Sequence, residues 1–181
     1  MRDCSLVLGT GTLTYRKAEQ PVVRLDNLAP LVTESLQRGE RIALVFGPEK
    51  HGLTREDLSY CHYLVEIPTD PRQPSMNLGQ AAAVCLYELA TRAQSPIDGL
   101  GSAPPQDAKK SAPVSGNLDV LANLMEEVMT AVDYSPKTMQ AANRHDLRLM
   151  LRRLHLNASD GRRALGFFRR ILWRLKRDRR L

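Results

Sequence analysis

Cysteine is scarce in this 181-residue chain, and what there is does not pair. Cys4, Cys61 and Cys85 are odd in number, widely spaced and never part of a C-x-x-C. That pattern excludes a disulfide framework and a zinc ribbon. The four histidines (His51, His62, His145, His155) form no H-E-x-x-H, so no metal site is expected. Long apolar runs are missing too: none approaches the roughly 18 residues that a membrane span requires. The opening "MRDCSLVLGT" has neither the basic start nor the apolar stretch of a secretory signal. A cytosolic protein without a membrane partner is expected.

Lysine is absent where a phosphate loop would need it. The stretch "FGPEKHGLT" spaces its glycines as G-x-x-x-x-G, but Leu53 stands where the P-loop lysine belongs, and Glu49 adds a negative charge. Triphosphate binding is thereby disfavoured. A dinucleotide fingerprint is equally lacking, because "LGTGTLTYR" offers Gly9 and Gly11 without a third glycine.

The net charge of +6 is distributed unevenly. Residues 144–181 carry twelve arginines and one lysine against three aspartates, while the remainder is net acidic. A basic tail so rich in arginine points to a polyanion such as RNA or DNA, with a solvated helix face as the plainer alternative.

Two kinds of pattern divide the chain. Residues 1–95 alternate strand and helix signals. "CSLVLGT", "RIALVF" and "HYLVEIP" read as strands. The continuous apolar run of the second suits a strand buried on both faces of a parallel sheet. "LAPLVTESLQRG", "TREDLSYC" and "SMNLGQAAAVCLYELATRA" read as helices, with Thr54 and Asp57 forming a capping box. An α/β domain with a mainly parallel sheet follows. Residues 96–117 are rich in Pro, Gly, Ser and Ala, the composition of a flexible linker. Residues 118–181 show helix signals only. One apolar stripe runs through Leu118, Leu121, Met125, Val128 and Val132. A second helix starts near Pro136 and carries Leu147, Leu151 and Leu154. A third is capped by Ser159, with Leu165, Phe168, Leu172 and Leu175 on one side and arginines elsewhere.

Three loops, "GTGT" (9–12), "FGPEKHGL" (46–53) and "IPTDPRQPSMNLG" (67–79), each directly follow a predicted strand. In a parallel sheet they leave from one edge and together could enclose a ligand through main-chain groups, or they could be ordinary turns. The small residues of the helix that follows, Gly79 and Ala81 to Ala83, permit close approach. They suit helix-on-sheet packing, a symmetric dimer contact or a tight chain crossing.

"ALVFGPEKHGLT" and "CHYLVEIPTDPRQPSMNLGQAAAVCLYEL" resemble the second and third motifs of the SpoU (SPOUT-class) RNA ribose methyltransferases. "LMEEVMTAVDY" through "LRLMLRRLHLNASDGRRALGFFRRIL" resembles the C-terminal extension of the TrmJ-type tRNA methyltransferases. The resemblance implies a trefoil-knotted α/β domain, a homodimer, S-adenosyl-L-methionine as methyl donor and a ribose 2′-hydroxyl of tRNA or rRNA as acceptor. It places the cofactor against Thr10, Gly11, Thr12, Gly47, Ile67, Ser75 and Met76. It places Glu49, Ser75 and Asn77 around the reaction centre, with Glu49 either catalytic or a brace for its loop. Arg162, Arg163, Arg169, Arg170 and Arg174 are expected to bind RNA. The family's first motif, N-x-G-x-x-x-R, is not found: "NLGQAAA" has the asparagine and glycine, but Ala83 stands where arginine is needed. The domain is therefore expected to be incomplete at its N-terminal side, and the alternative is a non-catalytic remnant that binds the cofactor and RNA.

Overall fold

The computed structural model describes residues 1–13, 17–93, 111–134 and 136–178. Four parallel strands form one sheet in the order β2-β4-β1-β3: β1 (Leu6–Thr10), β2 (Val22–Arg24), β3 (Ile42–Val45) and β4 (Tyr63–Glu66). β1 lies at the centre, pairing Leu6 with Ile42 on one side and Leu8 with Tyr63 on the other. All five of its residues are buried, as expected for a strand covered on both faces. Alternation along β1 feeds two cores. Leu6 and Leu8 pack with Leu28 of α1 (Leu28–Gln37) and Cys85 of α3 (Leu78–Ala93). Val7 packs on the opposite face with Leu53, Leu58 and Leu64.

The predicted strands and helices of the first half are present, with one addition. β2 is only three residues long, follows Pro21 and lies at the sheet edge with Val22 exposed. A segment that short carries too little alternation to be read as a strand. The short helix α2 (Arg55–Leu58) opens with the predicted capping box. The Thr54 hydroxyl accepts from the Asp57 amide at 3.1 Å, and the Asp57 carboxylate accepts from the Thr54 amide at 2.9 Å.

The second half is all helix: α4 (Ser115–Ala131), α5 (Gln140–Arg153) and α6 (Ala158–Asp178), with a short 3-10 turn at Lys137–Met139 before α5. Most of the expected linker lies outside the described residues. α4 begins at Ser115, inside the span read as linker, because the sheet domain catches its first turn: the amides of Ser115 and Gly116 donate to the carbonyls of Cys4 (2.8 Å) and Arg2 (2.9 Å). The helical core joins Leu121, Ala122, Leu147, Leu151 and Leu165. Val132 and Leu154, expected on the apolar stripes, are exposed because they fall at helix ends, where the stripe no longer faces a neighbour. Asn157, not Ser159, caps α6, accepting from the Asp160 amide at 2.9 Å.

Polar contacts join the two halves. Glu19 accepts from Arg55 of α2 at 2.7 Å and lies 2.6 Å from His145 Nε2 of α5. Arg148 pairs with Glu56 and stacks over Tyr60 at 4.2 Å. Within the helical half, Arg152, with a side chain only 1% exposed, pairs with Asp119 of α4 at 2.7 Å.

His62 is buried beneath β1. Its Nδ1 accepts from the Val7 amide at 3.1 Å, and its own amide donates to the Val7 carbonyl at 2.7 Å. Burial first, then the nearby charges of Arg152 and His155, holds its pKa down at about 3, against 6.5 when free. The folded state thus binds fewer protons than the unfolded one below pH 6.5. His62 contributes stability that is complete above that value and is lost as pH falls towards 3. Urea denaturation is expected to show a falling midpoint from pH 6.5 down to about 5, where most carboxylates remain ionised. A His62→Leu variant is expected to lose that slope.

Candidate cofactor and RNA site

The loops after β1, β3 and β4 meet, as parallel strands require. They line one cavity of about 340 Å³, within the range of roughly 300–1,000 Å³ usual for small-molecule sites. Thr10, Gly11, Thr12, Gly47, Ile67, Ser75 and Met76 all contribute to its wall. The structure thus gathers every residue assigned to the cofactor from sequence. Two further carbonyls fix the inner rim: Thr10 Oγ1 donates to the Val45 carbonyl at 3.2 Å, and the Gly11 amide donates to the Val65 carbonyl at 3.1 Å. Leu53, Ile67, Met76 and Ala81 supply apolar wall.

The 47–52 loop is closed on itself. The Gly52 amide donates to the Pro48 carbonyl at 2.7 Å, and Gly52 holds φ at +64°, a conformation that suits glycine. A Cβ on Gly47 would run into the Gly52–Leu53 backbone. Main chain therefore forms this wall, and a planar or extended ligand with several hydrogen-bonding edges suits it better than a phosphate chain. The residues present fit S-adenosylmethionine in that sense, offering apolar wall and main-chain polar groups.

Of the three residues expected at the reaction centre, Glu49 and Ser75 line the cavity, whereas Asn77 does not. Asn77 caps α3: its Oδ1 accepts from the Gly79 amide at 2.9 Å. Its Nδ2 donates to Glu49 at 2.6 Å, and the same Glu49 oxygen accepts from the Leu78 amide at 3.2 Å. The pair ties the second loop to the first turn of α3, where a carboxylate also meets the positive end of the helix dipole. The bracing reading of Glu49 accounts for its contacts. Asparagine just before a helical run is a cap signal that could have predicted this.

Sequence reasoning passed over Lys50, His51 and Thr69, which also line the cavity. His51 had no motif to mark it, and only the closed loop brings it to the rim. Cys61 and Cys85 are poor candidates for a nucleophile, because burial raises both thiols to about 11.

Arg162, Arg163, Arg169, Arg170 and Arg174 are all exposed on α6. Arg163 and Arg174 have aspartate neighbours at 3.7 and 3.1 Å, Asp160 and Asp178 respectively. Among the described residues no ion pair involves Arg162, Arg169 or Arg170.

Residues 11–87 match the SpoU rRNA Methylase family. Several similar proteins are named TrmJ, and one of Haemophilus influenzae is named an uncharacterized tRNA/rRNA methyltransferase. The chain is 28% identical over 174 residues to the tRNA (cytidine/uridine-2'-O-)-methyltransferase TrmJ of Pectobacterium atrosepticum, covering 95% of this chain and 68% of that protein. It is 41% identical over 89 residues to the tRNA (cytidine/uridine/adenosine-2'-O-)-methyltransferase TrmJ of Pseudomonas aeruginosa, covering 49% of this chain and 34% of that protein. The crystal structure of TrmJ from Z. mobilis superposes with a TM-score of 0.75 at 22% identity, over 94% of this chain and 68% of that one, and so shares the fold.

Proposed function

We propose that this chain is an S-adenosylmethionine-dependent ribose 2′-O-methyltransferase of the TrmJ kind, acting on tRNA or rRNA in the cytosol. The observation that carries the reading is the convergence of three loops from neighbouring parallel strands on one main-chain-lined cavity. Thr10, Gly11, Thr12, Gly47, Ile67, Ser75 and Met76 would hold the cofactor. When bound, it supplies an electrophilic methyl group on its sulfonium. Ser75, exposed at the cavity wall, orients the ribose by hydrogen bonding. Glu49 and Asn77 act as positioning residues that fix the second loop against α3. In-line displacement depends strongly on such positioning. The family resemblance adds the trefoil knot to this proposal.

A second copy of the chain is the proposed partner. The outward side of α3 presents Leu86 (63% exposed), Tyr87 (67% exposed) and the small Gly79 and Ala83. Such a face suits a close symmetric helix contact. Among the described residues no helix is long and apolar enough to cross a membrane.

A non-catalytic binding protein is the competing reading. Among the described residues no arginine lines the cavity, and its only carboxylate, Glu49, is engaged by Asn77 and Leu78. Calorimetry with S-adenosylmethionine, followed by labelled methyl transfer to unmodified tRNA, separates the two readings. Cofactor binding without transfer would favour the binding protein. Under the enzyme reading, Asn77→Ala and Glu49→Ala should each slow transfer about tenfold, the scale of one lost charge-assisted hydrogen bond. The double variant should lose less than the two single losses combined, because the contact between the two side chains is common to both. Additive losses would show that the two side chains act separately.

A further inference from the structure

α6 carries more than charge. At 3.6 residues per turn, its exposed half centres on Trp173. Arg162 and Arg169 flank Trp173 on one side, and Arg170, Arg174 and Arg177 flank it on the other. The indole is 47% exposed, and two guanidinium carbons lie near its ring, Arg170 at 4.4 Å and Arg177 at 5.0 Å. Phe167, at the margin of the same half, is 63% exposed and rests edge-on against Phe168 at 5.5 Å. Gly166 lies in line with Trp173, two turns earlier. A Cβ there would meet nothing within 4 Å, so packing does not call for glycine at a position where it weakens a helix. The apolar side of α6 is occupied elsewhere, with Leu165 and Phe168 in the helical core.

A helix that only neutralised the phosphates of a duplex would gain nothing from exposed rings. Unpaired bases, by contrast, stack on aromatic and guanidinium planes, while arginine N–H groups reach the adjacent phosphates. A membrane-surface helix would direct its apolar side outward, whereas α6 directs it inward. We propose that Trp173, together with Arg170 and Arg177, is a stacking site for an unpaired nucleotide, and that α6 binds single-stranded RNA in preference to duplex. This rests on the RNA reading of the tail given above and specifies what the tail recognises.

Trp173 is the chain's one tryptophan, so its fluorescence reports the site directly. Titrating the full chain with oligouridylate is expected to quench it. A blunt RNA duplex of equal length should bind more weakly and leave the emission nearly unchanged. Trp173→Leu should weaken single-strand binding about tenfold, the range of one base–aromatic stack, and Trp173→Phe should restore most of it. Arg169→Ala with Arg170→Ala should lower affinity and flatten its salt dependence. Quenching that requires anionic phosphatidylserine vesicles, or that follows protein concentration alone, would overturn the proposal in favour of a lipid surface or a second copy. Oligouridylate binding with unchanged emission would overturn the stacking site while leaving the RNA reading standing. Failure to bind either RNA would overturn both. Cofactor binding and methyl transfer are read separately and are unaffected by these outcomes.

Discussion

Replacing Gly47 with alanine is expected to weaken S-adenosylmethionine binding by up to roughly 100-fold while leaving the sheet folded. The added methyl would fall onto the Gly52 carbonyl carbon and the Leu53 amide nitrogen, both backbone atoms. Neither can rotate away as a flexible side chain would. The loop is already held shut by the Gly52 amide on the Pro48 carbonyl and by the positive φ of Gly52. It must therefore open, carrying the cavity wall from Pro48 to Leu53 with it. Overpacking of this kind costs about 1–3 kcal/mol, and its upper end corresponds to roughly a 100-fold loss of affinity. Calorimetry with S-adenosylmethionine measures the loss, and circular dichroism checks that the fold remains. A Gly47→Ala protein that binds the cofactor as tightly as the parent would remove this loop from the site.

The largest stability effect is expected at Asp119. Its carboxylate sits 2.7 Å from Arg152, the largest of the fully buried side chains among the described residues. Arg152 also donates to the Arg148 carbonyl at 3.3 Å, and its Nε has no hydrogen-bond partner among the described residues. Asp119→Ala would leave a guanidinium in the interior without its counter-charge, at a cost of about 3–5 kcal/mol. Arg152→Met should cost less. It removes the charge together with its desolvation penalty, and it leaves behind an aspartate that retains some contact with water. Urea denaturation of the two variants gives the comparison. Equal losses, or a loss below about 0.5 kcal/mol for Asp119→Ala, would show that the pair does not hold α4 to α5.

Much of the α/β half was legible because its signals are local. β1 and β3 are apolar runs, α2 announces itself through Thr54 and Asp57, and parallel pairing puts the three loops on one edge without further information. β2 escaped because three residues make no pattern. The site was legible as a set of loops, but not in the division of labour within it. Asn77 was read toward the reaction centre, and geometry makes it a helix cap that grips Glu49. The basic half was legible as charge. What could not be read was which arginines turn inward. Arg148 and Arg152 find Glu56, Tyr60 and Asp119 only after folding brings them together. The arginines of α6 stay outside because Leu165, Phe168 and Leu172 occupy its inner side. Resemblance to a known family supplied the rest, since nothing in spacing alone distinguishes a cofactor loop from a turn.

Glu19 gives the molecule a mechanical character of its own. It belongs to the same connection that leaves β1 through Gly11 and Thr12, and it is claimed at once by Arg55 and by His145. One carboxylate thus bridges the sheet half and the helical half, tying α2 and α5 to the chain between β1 and β2.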